Sequence, residues 1–171
     1  MQGFSKKMYK WDWGHVDMEI KFWLNGKIVK DDVDPDIMLL EYVRSKGCYS
    51  VKRGCETANC GLCTVLVENK PVLSCSTLAV RINNKHVVTL EGLQDRARDF
   101  GTFLANEGAE QCGYCSPGFI MNVLAMEDEL ENPTEIEIKE YLSGNLCRCT
   151  GYQGQLRAIK KYLERDKGEV K

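Results

Sequence analysis

The placement of cysteine constrains this chain more than any other feature of its sequence. There are nine cysteines among 171 residues, and eight of them fall into two sets of four with short spacings. In a reducing compartment, so many thiols favour metal ligands over a disulfide framework. The ninth, Cys48, belongs to neither set, and we interpret it as a small buried thiol. The fold must therefore bring two groups of four sulfur atoms together.

The first set combines three closely spaced cysteines with a fourth further along the chain. Cys55, Cys60 and Cys63 follow the pattern C-x4-C-x2-C, and Cys75 comes after eleven further residues. This is the spacing of plant-type ferredoxins, which bind a [2Fe-2S] cluster through four cysteines. Glycines in the loop allow positive φ angles and leave backbone N–H groups free to reach sulfur. The alternative is a zinc knuckle built on Cys60 and Cys63, but the x4 partner and the glycine-rich loop favour iron–sulfur.

The second set consists of two pairs, Cys112 with Cys115 and Cys147 with Cys149, with 31 residues between the pairs. Ser116-Pro117 predicts a helix directly after the first pair, where the positive end of the helix dipole favours thiolates. The second pair precedes another predicted helix, so two helix starts can face each other across a metal centre. Spacing alone leaves two alternatives open: a four-thiolate zinc site, and a thioredoxin-like redox pair for which the βαβ context is missing.

The charge balance excludes some partners. The chain has 23 basic and 25 acidic residues and a net charge of -2, which argues against nucleic acid or an anionic membrane surface as its main partner. An apolar content of 43% is enough for an ordinary core and excludes global disorder. No stretch approaches the ~18 apolar residues of a membrane span, and the first residues lack the apolar region of a signal peptide. We therefore expect a cytoplasmic location.

The first half of the chain has the pattern of a small α+β domain. Asn25-Gly26 lies between two alternating apolar runs and predicts a hairpin. Asp34 or Asp36 is the predicted cap of a helix that Gly47 ends. The other predicted elements are strands at 64–67, 72–75 and 86–90, with a turn at 68–71.

In the second half the apolar period changes from two to about 3.6, and four helices are predicted. Asp95 is the predicted cap of the first helix and Ser116 of the second, while Thr134 and Glu137 form a capping box for the third. The last helix carries a stripe through Leu156. The predicted organisation is an N-terminal extension at 1–17, a ferredoxin-like domain at 18–93 and a helical domain at 94–171.

Three long motifs carry a resemblance to a known family. They are RGCETANCGLCTV at 53–65, QCGYCSPG at 111–118 and SGNLCRCTGY at 143–152. In this order they resemble the signatures of the iron–sulfur subunit of the molybdenum hydroxylases, the xanthine dehydrogenase family. The resemblance covers nearly everything from Met18 to about Glu164. The chain departs from the family pattern at Ala58, where glycine is common.

The resemblance implies a plant-ferredoxin-like (β-grasp) domain with one [2Fe-2S] cluster, followed by a four-helix domain with a second. The first cluster would lie nearer the flavin of the partner enzyme and the second nearer its molybdenum. Gln111 and Cys149 would contact the pterin cofactor across a subunit interface. The implied ligands are Cys55, Cys60, Cys63 and Cys75 for the first cluster, and Cys112, Cys115, Cys147 and Cys149 for the second.

Family members of this kind pair with a molybdopterin-binding large subunit and a FAD-binding medium subunit. The implied function is a non-catalytic electron-transfer subunit of a xanthine dehydrogenase-like oxidoreductase, which relays electrons from the molybdopterin subunit to the FAD subunit. Carbon monoxide, nicotinate, aldehyde and aryl-CoA enzymes share such a subunit, so the substrate stays open, with xanthine or another purine the commonest expectation. A structural zinc-thiolate module and a free ferredoxin are the alternatives from other classes, although a free ferredoxin needs no helical second domain.

Overall fold

A five-stranded mixed sheet dominates the first half of the chain. The computed structural model describes residues 17–165, so the predicted extension at 1–17 lies outside the described residues except for Asp17. The sheet order is β2-β1-β5-β3-β4, in which β1 and β5 are parallel and the other neighbours antiparallel. The strands are β1 (Met18–Leu24), β2 (Lys27–Val33), β3 (Thr64–Val67), β4 (Lys70–Leu73) and β5 (His86–Val88).

Two-residue turns with positive φ at both positions close the two hairpins. Asn25 (φ 50°) and Gly26 (φ 77°) join β1 to β2, as predicted. Glu68 (φ 51°) and Asn69 (φ 64°) join β3 to β4 in the same way. The second turn is therefore shorter than predicted, and Pro71 lies inside β4. Proline is tolerated there because β4 is an edge strand of the sheet.

Helix α1 (Leu39–Ser45) buries its apolar face against the sheet. The N–H of Gly47 donates to a carbonyl in the last turn, and its φ of 89° ends the helix as predicted. The predicted caps, Asp34 and Asp36, are wrong. The helix begins only after Met38, whose side chain makes no capping hydrogen bond.

A competing backbone pairing explains the late start of α1. The N–H of Leu39 donates to the carbonyl of Thr77 (2.7 Å), and the N–H of Ala79 donates to the carbonyl of Ile37 (2.9 Å). The residues before the helix therefore pair with the segment after β4. Because they are held extended, the helix cannot reach back to either aspartate.

Four helices form the second half of the described chain, which confirms the predicted helical arrangement. Thr134 and Glu137 form the predicted capping box, each side chain accepting from the backbone N–H of the other. Asp95 and Ser116 lie inside first turns, so these two predicted caps are wrong. None of the helices within residues 17–165 has the length and apolar composition that a membrane span requires. The helices are α2 (Gln94–Asn106), α3 (Ser116–Glu129), α4 (Glu135–Tyr141) and α5 (Gln153–Glu164).

Helix α3 is buried on two sides and links the sheet to the other helices. Phe119 and Leu124 pack into the core that α2 and α5 share. Met121, on another face of α3, packs with Leu66 of β3. A helix that contacts neighbours all round is apolar on every face rather than on one stripe. The domain boundary predicted between 93 and 94 stays a prediction.

The first turn of α3 lies directly on the loop that holds the first cysteines. A Cβ atom added to Gly118 would overlap the carbonyl oxygen of Gly61 and lie 2.8 Å from the Cα atom of Leu62. Real Cβ atoms do not approach backbone so closely, so glycine is required here by the contact itself. Gly61 is equally constrained, because its φ is 74° and a Cβ would lie 2.6 Å from the carbonyl oxygen of Gly144.

Replacing Gly118 by alanine tests this contact. We expect Gly118→Ala to lower the free energy of unfolding by about 1–3 kcal/mol, the usual effect of overpacking. Gly101→Ala in α2 is the matched control, since its Cβ meets nothing within 4 Å; alanine should raise helix stability there by about 0.5–1 kcal/mol. Chemical denaturation of the metal-loaded chain, followed by far-ultraviolet circular dichroism, measures both. Equal stabilisation by the two substitutions would contradict the close approach.

Candidate metal centres

The first cysteine set lies in the loop between α1 and β3 and in the turn after β4. Cys55, Cys60 and Cys63 occupy the loop, and the β3–β4 hairpin brings Cys75 back beside them. Ser74 holds this return in place, because its N–H (3.3 Å) and its hydroxyl (2.7 Å) both donate to the carbonyl of Cys63. The eleven residues between the third and fourth cysteines are thus the length of one hairpin.

Within the first set the thiols contact each other in two pairs, Cys55 with Cys60 and Cys63 with Cys75. The backbone N–H of Asn59 lies 3.4 Å from the sulfur of Cys55. Hydrogen bonds from this and neighbouring N–H groups lower the pKa of Cys55 to about 6. Burial, followed by the contact with Cys63, raises the pKa of Cys75 to about 12. Since metals bind thiolates, metal binding must release the proton of Cys75.

The second set is assembled from the loops that precede α3 and α5. Cys115 is the N-cap of α3, and Cys112 lies in the loop before it. The sulfur atoms of Cys112 and Cys149 are 3.6 Å apart, and the thiol of Cys115 contacts that of Cys147. Burial, followed by this contact, raises the pKa of Cys115 to about 11. In space, each cysteine therefore contacts a member of the other sequence pair rather than its own neighbour in the chain.

This pairwise arrangement fits a two-iron cluster. In a [2Fe-2S] cluster four cysteines are shared between two irons, so the ligands come in pairs. A structural zinc ion instead holds all four sulfurs about 2.3 Å from one centre. In the second set the sulfurs of Cys112 and Cys149 lie 3.6 Å apart, a pair that one iron could bind, and within each set the thiols interact with one another. The donor chemistry, four thiols in each set, fits iron–sulfur equally well.

A backbone hydrogen bond joins the two sets. The N–H of Leu146, the residue before Cys147, donates to the carbonyl of Cys60 (3.0 Å). Leu62 and Leu146 line one small cavity together with Cys60, Cys115 and Cys147. The two sites are therefore linked by a short length of backbone, with apolar side chains beside it.

Tyr114 connects the second cysteine loop to the first from the outer side. Its hydroxyl donates to the carbonyl of Arg53 (3.0 Å), two residues before Cys55. The ammonium group of Lys52 lies 4.7 Å from the ring centroid of Tyr114 and 3.3 Å from its carbonyl oxygen. Tyr114 thus connects the two cysteine-bearing parts of the chain a second time, in addition to the hydrogen bond between Leu146 and Cys60.

Three other predicted residues occupy different environments. Gln111 and Cys149 are exposed, so both are accessible from outside the chain. Their predicted contact with a pterin stays a prediction. Cys48 is 4% exposed, and burial raises its pKa, which confirms the interpretation of a buried thiol.

Sequence reasoning missed two residues of the loop before α5. The hydroxyl of Thr150 donates to the sulfur of Cys147 (3.2 Å), and the hydroxyl of Tyr152 accepts from the N–H of Cys147 (2.8 Å). Tyr152 reaches back because its φ is 68° and that of Gly151 is 65°. The available sequence signal was that Thr150 and Tyr152, both with hydroxyl groups, follow shortly after the second cysteine pair. Threonine hydroxyls in particular often form hydrogen bonds with groups nearby in the chain.

Comparisons with known proteins agree with this architecture. Residues 22–105 match the family described as "2Fe-2S iron-sulfur cluster binding domain", and residues 89–160 match "[2Fe-2S] binding domain". The nicotinate dehydrogenase small FeS subunit of Eubacterium barkeri is 39% identical over 83% of this chain and 92% of that protein. The xanthine dehydrogenase of Emericella nidulans is 37% identical over 85% of this chain and 12% of that protein. Quinoline 2-oxidoreductase from Pseudomonas putida 86 superposes with a TM-score of 0.80 and 34% identity over 90% of this chain and 99% of that chain.

The fold and the two thiol sites define a [2Fe-2S] protein with one site in each half. The chain belongs to the iron–sulfur subunits of the molybdenum hydroxylase, or xanthine dehydrogenase, family. Like those subunits it is a non-catalytic part of an oxidoreductase. It spans 12% of the length of the fungal relative and 92% of the bacterial small subunit.

Position 58 offers a test of the first loop. Ala58 has a φ of 50°, so the loop requires positive φ there although the residue is not glycine. We expect Ala58→Gly to raise the free energy of unfolding by about 0.5–1 kcal/mol, because removing the Cβ strain outweighs the added freedom of the unfolded chain. The control is Ala105→Gly on the exposed side of the last turn of α2, which should lower stability by up to about 1 kcal/mol. If denaturation shows that both variants lower the free energy of unfolding by the same amount, there is no strain at position 58.

Proposed function

We propose that this chain relays single electrons from a molybdopterin-binding large subunit to a FAD-binding medium subunit of a xanthine dehydrogenase-type hydroxylase. Membership of the iron–sulfur subunit family supports this role. The observation that carries it is the backbone hydrogen bond between Leu146 and Cys60, which links the two sites. When bound, each [2Fe-2S] centre accepts and releases one electron at a time. The chain's own residues bind these centres and hold them near each other.

The proposed ligands are the eight cysteines of the two sets. The pairwise contacts support this assignment, because each pair can bind one iron. The backbone N–H groups near Cys55 support it too, since such donors stabilise anionic sulfur. The full sets are Cys55, Cys60, Cys63 and Cys75 in the ferredoxin-like half, and Cys112, Cys115, Cys147 and Cys149 in the helical half.

The proposed route between the centres consists of covalent bonds and one hydrogen bond. It runs from the sulfur of Cys60 to its carbonyl oxygen and crosses to the N–H of Leu146 (3.0 Å). From there it passes to the next residue, Cys147, and its sulfur. Bonds and short hydrogen bonds couple electron donors to acceptors better than an open gap of the same length does. Leu62 lies beside the route, where it lines a small cavity with Cys60 and Cys147.

We propose that the helical site faces the molybdopterin subunit and the ferredoxin-like site faces the FAD subunit. Cys112 and Cys149 are exposed, so the helical site reaches the protein surface. Gln111 is exposed next to Cys112. A pterin held by the partner could therefore contact Gln111 and Cys149 without any rearrangement of this chain.

The surface around the helical site supports a protein partner there. Tyr114, Leu146 and Tyr152 line the groove onto which thiols of both sets open, and they are 50%, 47% and 42% exposed. Exposed apolar side chains that cluster in this way are typical of interaction surfaces. The net charge of -2 also suits a protein partner better than a polyanion. We propose a cytoplasmic location for the assembly.

Xanthine or another purine is the proposed substrate of the partner enzyme. Nicotinate is the second candidate, because the small FeS subunit of a nicotinate dehydrogenase aligns over 92% of its length. The relay through Cys60 and Leu146 is the same for both, since the proposed route involves no substrate contact.

Cysteine variants test the two-site assignment. We expect Cys149→Ser to disturb the electron paramagnetic resonance signal of the helical site alone, and Cys55→Ser that of the ferredoxin-like site alone, because the two sets share no ligand. Cys48→Ala is the matched control and should leave both signals in place, since Cys48 is a buried thiol outside both sets. Loss of both signals in Cys149→Ser would contradict two separate sites. Stoichiometric zinc without sulfide in anaerobically purified protein would sink the iron–sulfur assignment.

The partners are tested by isolation of the assembly. We expect a tagged full chain, expressed in its native host, to co-purify with two larger chains, one carrying molybdenum and the other FAD. Substrate added to this complex should reduce both centres, as read by their resonance signals. Isolation of the chain alone, with neither cofactor present under mild conditions, would favour a free ferredoxin-like role instead.

A further inference from the structure

The segment from Cys147 to Tyr152, before α5, contains a side-chain donor to a proposed ligand sulfur. The hydroxyl of Thr150 lies 3.2 Å from the sulfur of Cys147. We propose that Thr150 is a positioning residue that raises the reduction potential of the helical-site centre by donating this hydrogen bond, and that Gln155 holds its hydroxyl in place. The inference rests on the proposed function, because it concerns the centre that Cys147 is proposed to bind.

The donors around Cys147 come from the same loop. The backbone N–H groups of Cys149 and Thr150 point at its sulfur together with the Thr150 hydroxyl. At Cys55 of the other site, by contrast, the donors include the backbone N–H groups of Thr57 and Asn59. A backbone donor is present whatever the residue type, whereas a hydroxyl depends on the side chain. The residue type at position 150 can therefore change the reduction potential of the helical-site centre without changing that of the other centre.

The Thr150 hydroxyl has one proton and two acceptors to choose from. The sulfur of Cys147 and the Oε1 atom of Gln155 both lie 3.2 Å from its oxygen. A metal-bound thiolate carries no proton and is negative, so it is the stronger acceptor of the two. With a centre bound, the Thr150 proton therefore points at sulfur.

Gln155 supports this choice because its amide can donate as well as accept. The residue is 4% exposed and lies in the first turn of α5, so its amide must find its partners inside the protein. A half turn about its last side-chain bond presents an N–H to the Thr150 oxygen. That oxygen has two lone pairs, and the N–H of Tyr152 (3.3 Å) takes only one of them. The sequence of donors then runs from Gln155 to Thr150 to the sulfur of Cys147.

The rest of the loop keeps Thr150 in this position. Gly151 (φ 65°) and Tyr152 (φ 68°) turn the chain back, and the Tyr152 hydroxyl accepts from the N–H of Cys147 (2.8 Å). One hydrogen bond between the two ends of this segment thus closes it around the Thr150 hydroxyl. A donor held in this way loses little conformational entropy when it bonds to sulfur, so the hydrogen bond is favoured.

The direction of the effect follows from charge. Reduction places an additional electron on the centre and increases the negative charge on its sulfur ligands. A hydrogen-bond donor stabilises the more negative state more strongly, so it favours reduction and raises the potential. Removing the donor must lower the potential of the helical site without changing that of the ferredoxin-like site.

Redox titration of the full chain, loaded with iron and sulfide and followed by electron paramagnetic resonance, tests this role. Thr150→Val removes the hydroxyl but keeps the branched shape, and Thr150→Ser keeps the hydroxyl as the matched control. We expect Thr150→Val to lower the ratio of reduced to oxidised helical centre at a fixed potential by about tenfold, equal to a shift of about 59 mV for one electron. Thr150→Ser should match the wild type. The ferredoxin-like signal serves as the internal reference and should not shift in either variant.

The outcomes separate this inference from the proposed function. An unshifted helical potential in Thr150→Val, with both signals intact, overturns the role of Thr150 and leaves the relay standing. If Thr150→Val does not assemble the helical centre, Gln155→Met carries the test, since it removes the amide donor at similar volume. A smaller fall in the same direction supports the proposal, and an unchanged potential overturns it. If the wild-type protein binds neither iron nor sulfide, the proposed function is wrong and so is this inference.

Discussion

The approach of α3 to the first cysteine loop is the contact on which the placement of both thiol sets depends. Gly118 has no side chain, so the backbone of Gly61 and Leu62 can lie directly against the first turn of the helix. The helix carries Cys115 at its cap, and the loop carries Cys60 just before the contact. The same contact therefore sets the distance between the two sites. The hydrogen bond from the loop before α5 to the first site is possible only because this distance is short.

The sites combine thiols in opposing environments. Backbone N–H groups lower the pKa of Cys55 to about 6, whereas burial raises the pKa of Cys75 to about 12 and that of Cys115 to about 11. A buried free thiol resists losing its proton, but a thiol bound to metal has already lost it. The apolar surroundings that disfavour a bare thiolate thus suit a metal-bound one.

Features encoded by neighbouring residues could be predicted from the sequence, and features encoded by distant ones could not. The turn at Asn25-Gly26, the capping box at Thr134 and the grouping of the cysteines all depend on residues close in the chain. The late start of α1 depends on pairing with Thr77, far along the sequence. In the same way β5 ends before the predicted residue 90, because the N–H of Thr89 donates to the side chain of a residue 64 positions earlier (2.8 Å). No local sequence pattern predicts such contacts. The requirement for glycine at position 118 of α3 is of the same kind, because it depends on the distant residues Gly61 and Leu62.

The two sites differ in how much chain lies between their ligands. The first set is gathered by one loop and one hairpin, all within residues 55–75. In the second set, Cys112 and Cys149 meet across a separation of 37 residues that includes α3 and α4. Closing a longer loop loses more chain entropy, and contacts between distant residues form more slowly. Gathering the second set therefore costs the folding chain slightly more conformational entropy than gathering the first.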